Sequence, residues 1–329
     1  MEDGKEVKGM GVTLKIVKKE IKDALKNKLF FIILGLLLLL CIVSITLGSL
    51  QIRAAMDTYN SSIDLLKSIG KTQLPPKPDL NPLSVAKGFV NYFGIIGALL
   101  AIILGNNSIV KERRNGTLKL LLSRPIFRDS LINGKLLGNV ILLALISILT
   151  FLITYLSMRV IGGIALSGNE TLRLTMFFVM GFLYMVVFLS LAVTLSLLVN
   201  NGNKALLITI LLWLVFAFIF PQIGDTMDMD NQLPGGFFTQ MGMTRDQEHK
   251  VLEKFKLYET LRNGVEEMSP TKHYERVSFA LLGVKPGFEN MNAGEILQLK
   301  WFDLIGLIAP SILLCMTSYM VFLKREDIY

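Results

Sequence analysis

The chain has 329 residues, 52% of them hydrophobic, with a mean hydropathy of +0.54 and a formal net charge of +8. A soluble chain of this length would hold about two domains, but so apolar a balance excludes an ordinary soluble protein and indicates an integral membrane one. The charge does not point to nucleic acid, because the lysines and arginines lie between apolar runs rather than on one face of a soluble module.

The first 28 residues are polar and lysine-rich, too long and too charged for the leading region of a cleaved secretory signal, so the first hydrophobic segment is expected to stay as an anchor. Within them Val12, Leu14, Val17, Ile21 and Leu25 recur near helical spacing, while Lys15, Lys18, Lys19, Lys22 and Lys26 take the other positions. This predicts an amphipathic helix lying in the membrane plane, its lysines toward anionic headgroups, with a solvated helix as the alternative.

A membrane span needs about 20 mostly apolar residues, since lipid offers backbone amides no partner and a helix satisfies them internally. Six stretches qualify: Leu29 to Ile52, Phe89 to Val110, Leu136 to Ser157, Leu172 to Val199, Ala205 to Gly224 and Trp301 to Leu323. The fifth is the weakest, with Pro221 near its outer end and only Asn200 to Lys204 before it. The two cysteines, Cys41 and Cys315, fall inside such runs and read as small hydrophobes rather than a disulfide or metal pair. Lysines crowd the first tail, and Lys111, Arg113, Arg114, Lys119, Arg124, Arg128 and Lys135 crowd the loop between spans 2 and 3, so both are assigned to the cytoplasm. Six spans return the C-terminus to that side. Arg53 to Lys87 and the long, acid-richer segment Asp225 to Lys300 are then extracytoplasmic.

Read as a helix, the basic loop places Leu118, Leu121 and Leu122 on one side. On charge alone it is an ordinary cytoplasmic loop. The order of residues says more: Glu112, then Gly116 and Thr117, then "LKLLLSRP" ending at Pro125, then Arg128, Gly134 and Lys135, resembles the signature of ABC-2 type transporter permeases. The match covers about 25 contiguous residues, and the six-span layout extends it over most of the chain, in the manner of the sodium-extrusion and copper-assembly branch. The resemblance implies that this stretch is a coupling helix, at about 110–128, that docks on a separate ATP-hydrolysing subunit through Glu112, Gly116, Thr117, Leu118, Leu121, Leu122, Pro125 and Arg128. It also implies that residues 1–28 hold a connecting helix, and the "FLKRED" ending is similar to family tails. Lys119 departs from the pattern, since an acidic residue is common there.

Other chemistry is sparse. "GKT", Gly70 to Thr72, lacks the earlier glycine of a phosphate loop, which would have to stand at Leu65. "LSGNE", Leu166 to Glu170, only echoes the start of an ABC ATPase signature. His249 and His273 are the only histidines, and neither belongs to a metalloprotease helix. Asp303, beside Lys300, reads as a hydrated interfacial carboxylate. Asn91, Asn106, Asn107 and Ser108 in span 2, with Ser147, Thr150, Thr154 and Ser157 in span 3, serve interhelical hydrogen bonding or line a path. The run from Met176 to Phe188 reads as packing or lipid contact, with an adaptable pocket as the alternative. Val251 to Leu261 predicts a helix in the outer segment, and Met227, Met229, Met241 and Met243 beside Asp225, Asp228 and Asp230 leave monovalent copper as a minor alternative to gap filling.

The sequence thus predicts an all-α integral membrane protein. Its parts are residues 1–28, spans 1–5 over 29–224, the outer helical segment 225–300, and span 6 with its tail over 301–329. The resemblance implies a permease subunit of an exporter in the cell membrane, both termini cytoplasmic, not itself an enzyme and binding no cofactor. ATP is bound by the partner ATPase, and a second permease completes a homodimer or heterodimer among membrane lipids. A non-transporting membrane sensor or assembly scaffold of the same architecture is the alternative.

Overall fold

A computed structural model of the chain describes residues 3–70, 81–116, 128–230, 236–285 and 287–324, and every regular element among them is helical. Helix α1 (Asp3–Ala24) precedes α2 (Lys28–Ser68), α3 (Pro82–Arg114), α4 (Arg128–Val160), α5 (Gly168–Leu198) and α6 (Gly202–Met227). A group of short helices follows: α7 (Phe237–Gln240), α8 (Arg245–Lys254), α9 (Lys256–Glu267), α10 (Pro270–Leu281) and α11 (Ala293–Leu299). The last helix is α12 (Trp301–Lys324). Helices α2 to α6 and α12 are each long and apolar enough to cross a bilayer, matching the six predicted spans.

Local chemistry sets the ends. Asn27 caps α2 by accepting from the Leu29 amide at 3.0 Å. Asn81 caps α3 in the same way through Leu83 at 2.9 Å. The "SGNE" motif is a capping box that starts α5: Ser167 accepts from the Glu170 amide at 3.3 Å, and Glu170 accepts from the Ser167 amide at 2.6 Å. Helix α2 runs 41 residues, about 60 Å, so Arg53 to Ser68, read from sequence as part of a connection, continue the first span as helix. The helix expected over Val251 to Leu261 is broken at Phe255, which separates α8 from α9.

Pro221 lies inside α6 without ending it. A π-turn at Val215–Ile219 precedes it, and the Ser269 hydroxyl donates to the Phe216 carbonyl at 2.5 Å, satisfying an acceptor near a proline that has no amide hydrogen to give.

Helix α5 is the hub. Its middle is mostly buried against α3, α4, α6, α10 and α12, whereas α2, α6 and α12 leave most of their apolar surface open, as lipid-facing helices do. The predicted Phe and Met run on α5 forms the core: Phe177, Phe178, Tyr184 and Phe188 are buried, and Tyr184 stacks on Tyr274 of α10 at 4.8 Å. Of the polar groups in the spans, some bond another helix, as predicted, and others bond their own backbone. Ser196 donates to Asn106 at 2.8 Å, Thr150 donates to the Ile146 carbonyl at 2.9 Å, and Cys41 meets Thr154 at 3.1 Å.

The short helices are tied to the far end of the bundle by buried charge. Arg173 of α5, 1% exposed, donates to the carbonyls of Leu281 (2.8 Å), Ala280 (3.2 Å), Phe288 (2.9 Å), Glu289 (2.7 Å) and Met291 (3.3 Å). Two of these close the C-terminal turn of α10, where unpaired carbonyls and the helix dipole favour a cation. Asp303 corrects the sequence reading: it is buried, 5% exposed, with His273 Nδ1 at 2.9 Å, Lys300 at 3.6 Å and Arg276 at 3.8 Å. It is an ion-pair hub between α10 and α12, not a hydrated carboxylate.

Replacing Arg173 with Met strands those carbonyls. The variant is expected to lose about 3 kcal/mol of stability and to open residues 270–291 to protease before the spans unfold, which limited proteolysis of the detergent-solubilised chain would register.

Candidate functional site

The stretch singled out by its sequence begins inside a span. Helix α3 continues to Arg114, where the amides of Asn115 and Gly116 bond back to Lys111 and Arg113 at 3.1 and 3.2 Å. Gly116 then turns the chain at φ +67°, a left-handed conformation that favours glycine at a helix end. Val110 to Arg114 therefore belong to the second span's helix rather than to a separate one. Thr117, Leu118, Leu121, Leu122 and Pro125 lie outside the described residues, and Arg128 opens α4.

What brackets the loop is a buried charge cluster. Lys135 of α4, 1% exposed, places Nζ 2.8 Å from Glu20 of α1, 2.8 Å from Glu112 of α3 and 2.6 Å from the Ser108 carbonyl. The Glu20 carboxylate and the Ser108 carbonyl accept hydrogen bonds from the ammonium, and Glu112 adds a second counter-charge. The other Glu112 oxygen takes Lys19 of α1, so two cations and two carboxylates balance. Burial raises the carboxyl of Glu20 above its ordinary range, an effect the neighbouring Lys135 opposes. Burial lowers the ammonium of Lys19 but is overcome by Glu112, and the net direction is upward.

Two glycines let α1 come this close. Gly134 and Gly138 sit four apart on α4, and a Cβ there would stand 2.7 Å from the Ile16 side chain and 2.9 Å from that of Glu20. Small residues at this spacing permit close helix crossing. Among the described side chains of α1 the buried positions are Ile16, Val17, Glu20 and Ala24, while Leu14 and, just past the helix, Leu25 remain exposed beside the lysines. The helical expectation for this segment holds, but its inner face is shifted toward Glu20.

The arginines around the loop reach the ends of other spans. Arg113 donates to the carbonyls of Val199 and Asn200, at 2.8 and 3.1 Å, where α5 ends. Arg128 donates to the Leu323 carbonyl of α12 at 3.3 Å, and Arg114 to the Asn203 side chain at the start of α6 at 3.2 Å. The base of the loop is thus bonded to α1, α3, α4, α5, α6 and α12 together.

Of the predicted site residues, Glu112 faces inward, 6% exposed, while Gly116 and Arg128 lie at the two rims of the loop. Sequence reasoning missed Lys19 and Glu20 as site residues. The available signals were an acid among the apolar positions of an amphipathic helix and the G-x-x-x-G spacing around Lys135.

The aspartates of the outer segment are engaged locally. Asp228 accepts from the Asp230 amide and Asp230 from the Phe238 amide, both at 3.0 Å, and Asp228 pairs with Arg262 at 3.2 Å. Among the described residues no group of three His, Cys, Asp or Glu side chains is arranged to hold a metal ion.

The family model described as ABC-2 family transporter protein matches residues 14–327. The probable ABC transporter permease protein NosY of Pseudomonas aeruginosa is 28% identical over 142 residues, 43% of this chain and 44% of the relative. The protein of the same description from Stutzerimonas stutzeri is 26% identical over 206 residues, 62% of this chain and 66% of the relative.

Removing one member of the cluster should cost more than removing a pair. Lys135→Met leaves two buried carboxylates facing one lysine and is expected to destabilise by about 3 kcal/mol. Adding Glu20→Gln restores neutrality and should recover part of that loss, as read by thermal unfolding in detergent.

Proposed function

Because the chain belongs to the ABC-2 family of transporter proteins, we propose that it is the membrane-spanning permease subunit of an ATP-driven transporter, with ATP bound and hydrolysed by a separate polypeptide. The observation that carries this reading is the clamp at the base of the loop. A push on residues 117–127 from a soluble partner meets α3 and α4 locked to each other and to α1 through Lys135, Glu112, Glu20 and Lys19. It therefore moves three helices as a unit, and Arg113 and Arg128 pass the displacement to the ends of α5 and α12.

In this reading the basic end is cytoplasmic. The rule that lysines and arginines stay inside supports it, as does the crowding of Lys15, Lys18, Lys22, Lys26, Lys111 and Arg114 at that end. Both termini are then cytoplasmic, and the protein is multi-pass in the cell membrane. Leu118, Leu121 and Leu122 form the apolar face that docks on the ATPase, Gly116 and Pro125 delimit it, and Thr117 lies at its start. A second permease, identical or related, completes the path, and the apolar surfaces left open on α2, α6 and α12 are available to it or to lipid. Nucleotide binding draws two such loops together and shifts the spans between two arrangements. The direction is export, as the resemblance to a family made mostly of exporters implies.

Co-expression of the full chain with its cognate phosphate-loop ATPase, followed by ATP hydrolysis in washed membranes, tests the assignment. Gly116→Asp and Leu121→Asp should each cut membrane-bound hydrolysis by about tenfold or more, because a carboxylate in an apolar docking face costs about 1.4 kcal/mol or more, while the amount of inserted chain stays the same. Full hydrolysis in both variants, or labelling of Thr117→Cys by an impermeant maleimide from outside intact cells, refutes it.

A further inference from the structure

A cleft of about 610 Å³ opens at the basic end between α1, α2, α3 and α6. Its acids are already occupied: Glu20 and Glu112 by Lys135 and Lys19, and Asp23 by Lys111 at 3.6 Å. Its cations are in excess. Lys26 and Lys28, on either side of the turn from α1 to α2, and Arg114, at the end of α3, line the cleft and have no carboxylate partner among the described residues. Arg114 is held in place by Asn203, and the Asn107 side chain adds an amide to the same wall. The N-terminus of α2, the positive end of a 41-residue helix, lies beside the two lysines.

The surroundings identify where an anion would come from. Leu104, Val110 and Leu206 form an apolar part of the wall. The two helices that flank the cleft go on to expose hydrocarbon: Leu29, Ile32 and Leu36 recur on one face of α2, and Leu207 and Leu211 on one face of α6. Three uncompensated cations thus stand where apolar helix surface begins, which is the depth of a bilayer's phosphates. We propose that this cleft binds the phosphate of an anionic phospholipid headgroup, with the acyl chains lying along α2 and α6. The lysines and Arg114 bring three cations to one tetrahedral anion from two separate parts of the chain. A lipid seated there bridges the α1–α2 turn to the end of α3, directly beside the clamp.

The site is independent of the ATPase assignment, and its test uses the purified full chain alone. In native mass spectrometry from detergent, phosphatidylglycerol should be retained about tenfold more strongly than phosphatidylcholine. Lys26→Gln with Lys28→Gln should erase that preference without changing thermal stability. Lys18→Gln with Lys22→Gln removes the same charge from exposed positions of α1 outside the cleft and should leave the preference intact. Equal retention of the two lipids, or equal losses from the two lysine pairs, overturns the proposal. Binding of glycerol 3-phosphate as tight as that of phosphatidylglycerol overturns the lipid source and assigns the cleft to a soluble phosphate ester.

Discussion

The ammonium of Lys135 is the constraint on which the basic end depends. Taking a lysine to 1% exposure costs several kcal/mol unless every hydrogen finds an acceptor and the charge finds a counterion. Hydrogen bonds to Glu20 and the Ser108 carbonyl and the counter-charge of Glu20 and Glu112 come together at one placement of three helices, since these groups belong to α1 and α3 and all lie within 2.8 Å. Sliding α1 by one residue turns Glu20 about 100° away from Lys135. The cluster therefore fixes register more than it adds stability: an apolar replacement of all its members could hold α1 to α4 as tightly, but would not say where along α4 it sits. Gly134 and Gly138 belong to the same constraint, since they set how near the α1 backbone can come.

Helix ends elsewhere in the bundle are handled by one recurring device. Four arginines donate to carbonyls at C-terminal helix ends: Arg53 to Ile161 after α4 at 2.7 Å, Arg113 after α5, Arg128 at α12 and Arg173 at α10. The last turn of a helix has unpaired carbonyls and a partial negative charge, and guanidinium, with five donors and a fixed charge, can serve several of them at once. Each of these bonds joins different helices, so the ends of the bundle are cross-linked by polar contacts while its middle is packed by Phe177, Phe178, Tyr184 and Tyr274. In a bilayer the middle gains little from expulsion of water, because lipid is as apolar as the side chains, so interlocked packing and end contacts carry the association.

The spans were legible because their signal is additive over about 20 residues, and no single misjudged position removes it. Their polar extensions were not, since Arg53 to Ser68 have no apolar run to announce them and are helical as the continuation of α2. Phe255 interrupts a helical pattern that is continuous in the periodicity, and nothing in the structure explains the break. The loop was recognisable from Glu112, Gly116 and Arg128, yet the resemblance makes Glu112 a docking residue, and in the structure it is buried with Lys135, 23 positions later, and Lys19, 93 positions earlier. Asp303 was misjudged for the same reason. Its partner His273 lies 30 residues away, and nothing in "LKWFD" reports that contact. Composition reveals which charges are present, but pairing is a property of the folded chain.

The placement of stiff and open surfaces gives the proposed function its mechanical logic. A lever must be rigid where force enters and free where it is delivered. In that reading force enters beside the clamp, where α1, α3 and α4 are joined by buried ion pairs whose rupture would leave charge uncompensated, so these three helix ends resist separation. Helices α2, α6 and α12 carry few buried residues in their apolar middles. In the proposed function, motion imposed at residues 117–127 would reach α5 and α12 through Arg113 and Arg128, and the open surfaces of α2, α6 and α12 are where a second permease or lipid could receive it. The central helix α5 is held by an aromatic core at its middle and by Arg113 and Arg173 near its two ends, so in the proposed function a displacement of α3 reaches it through Arg113.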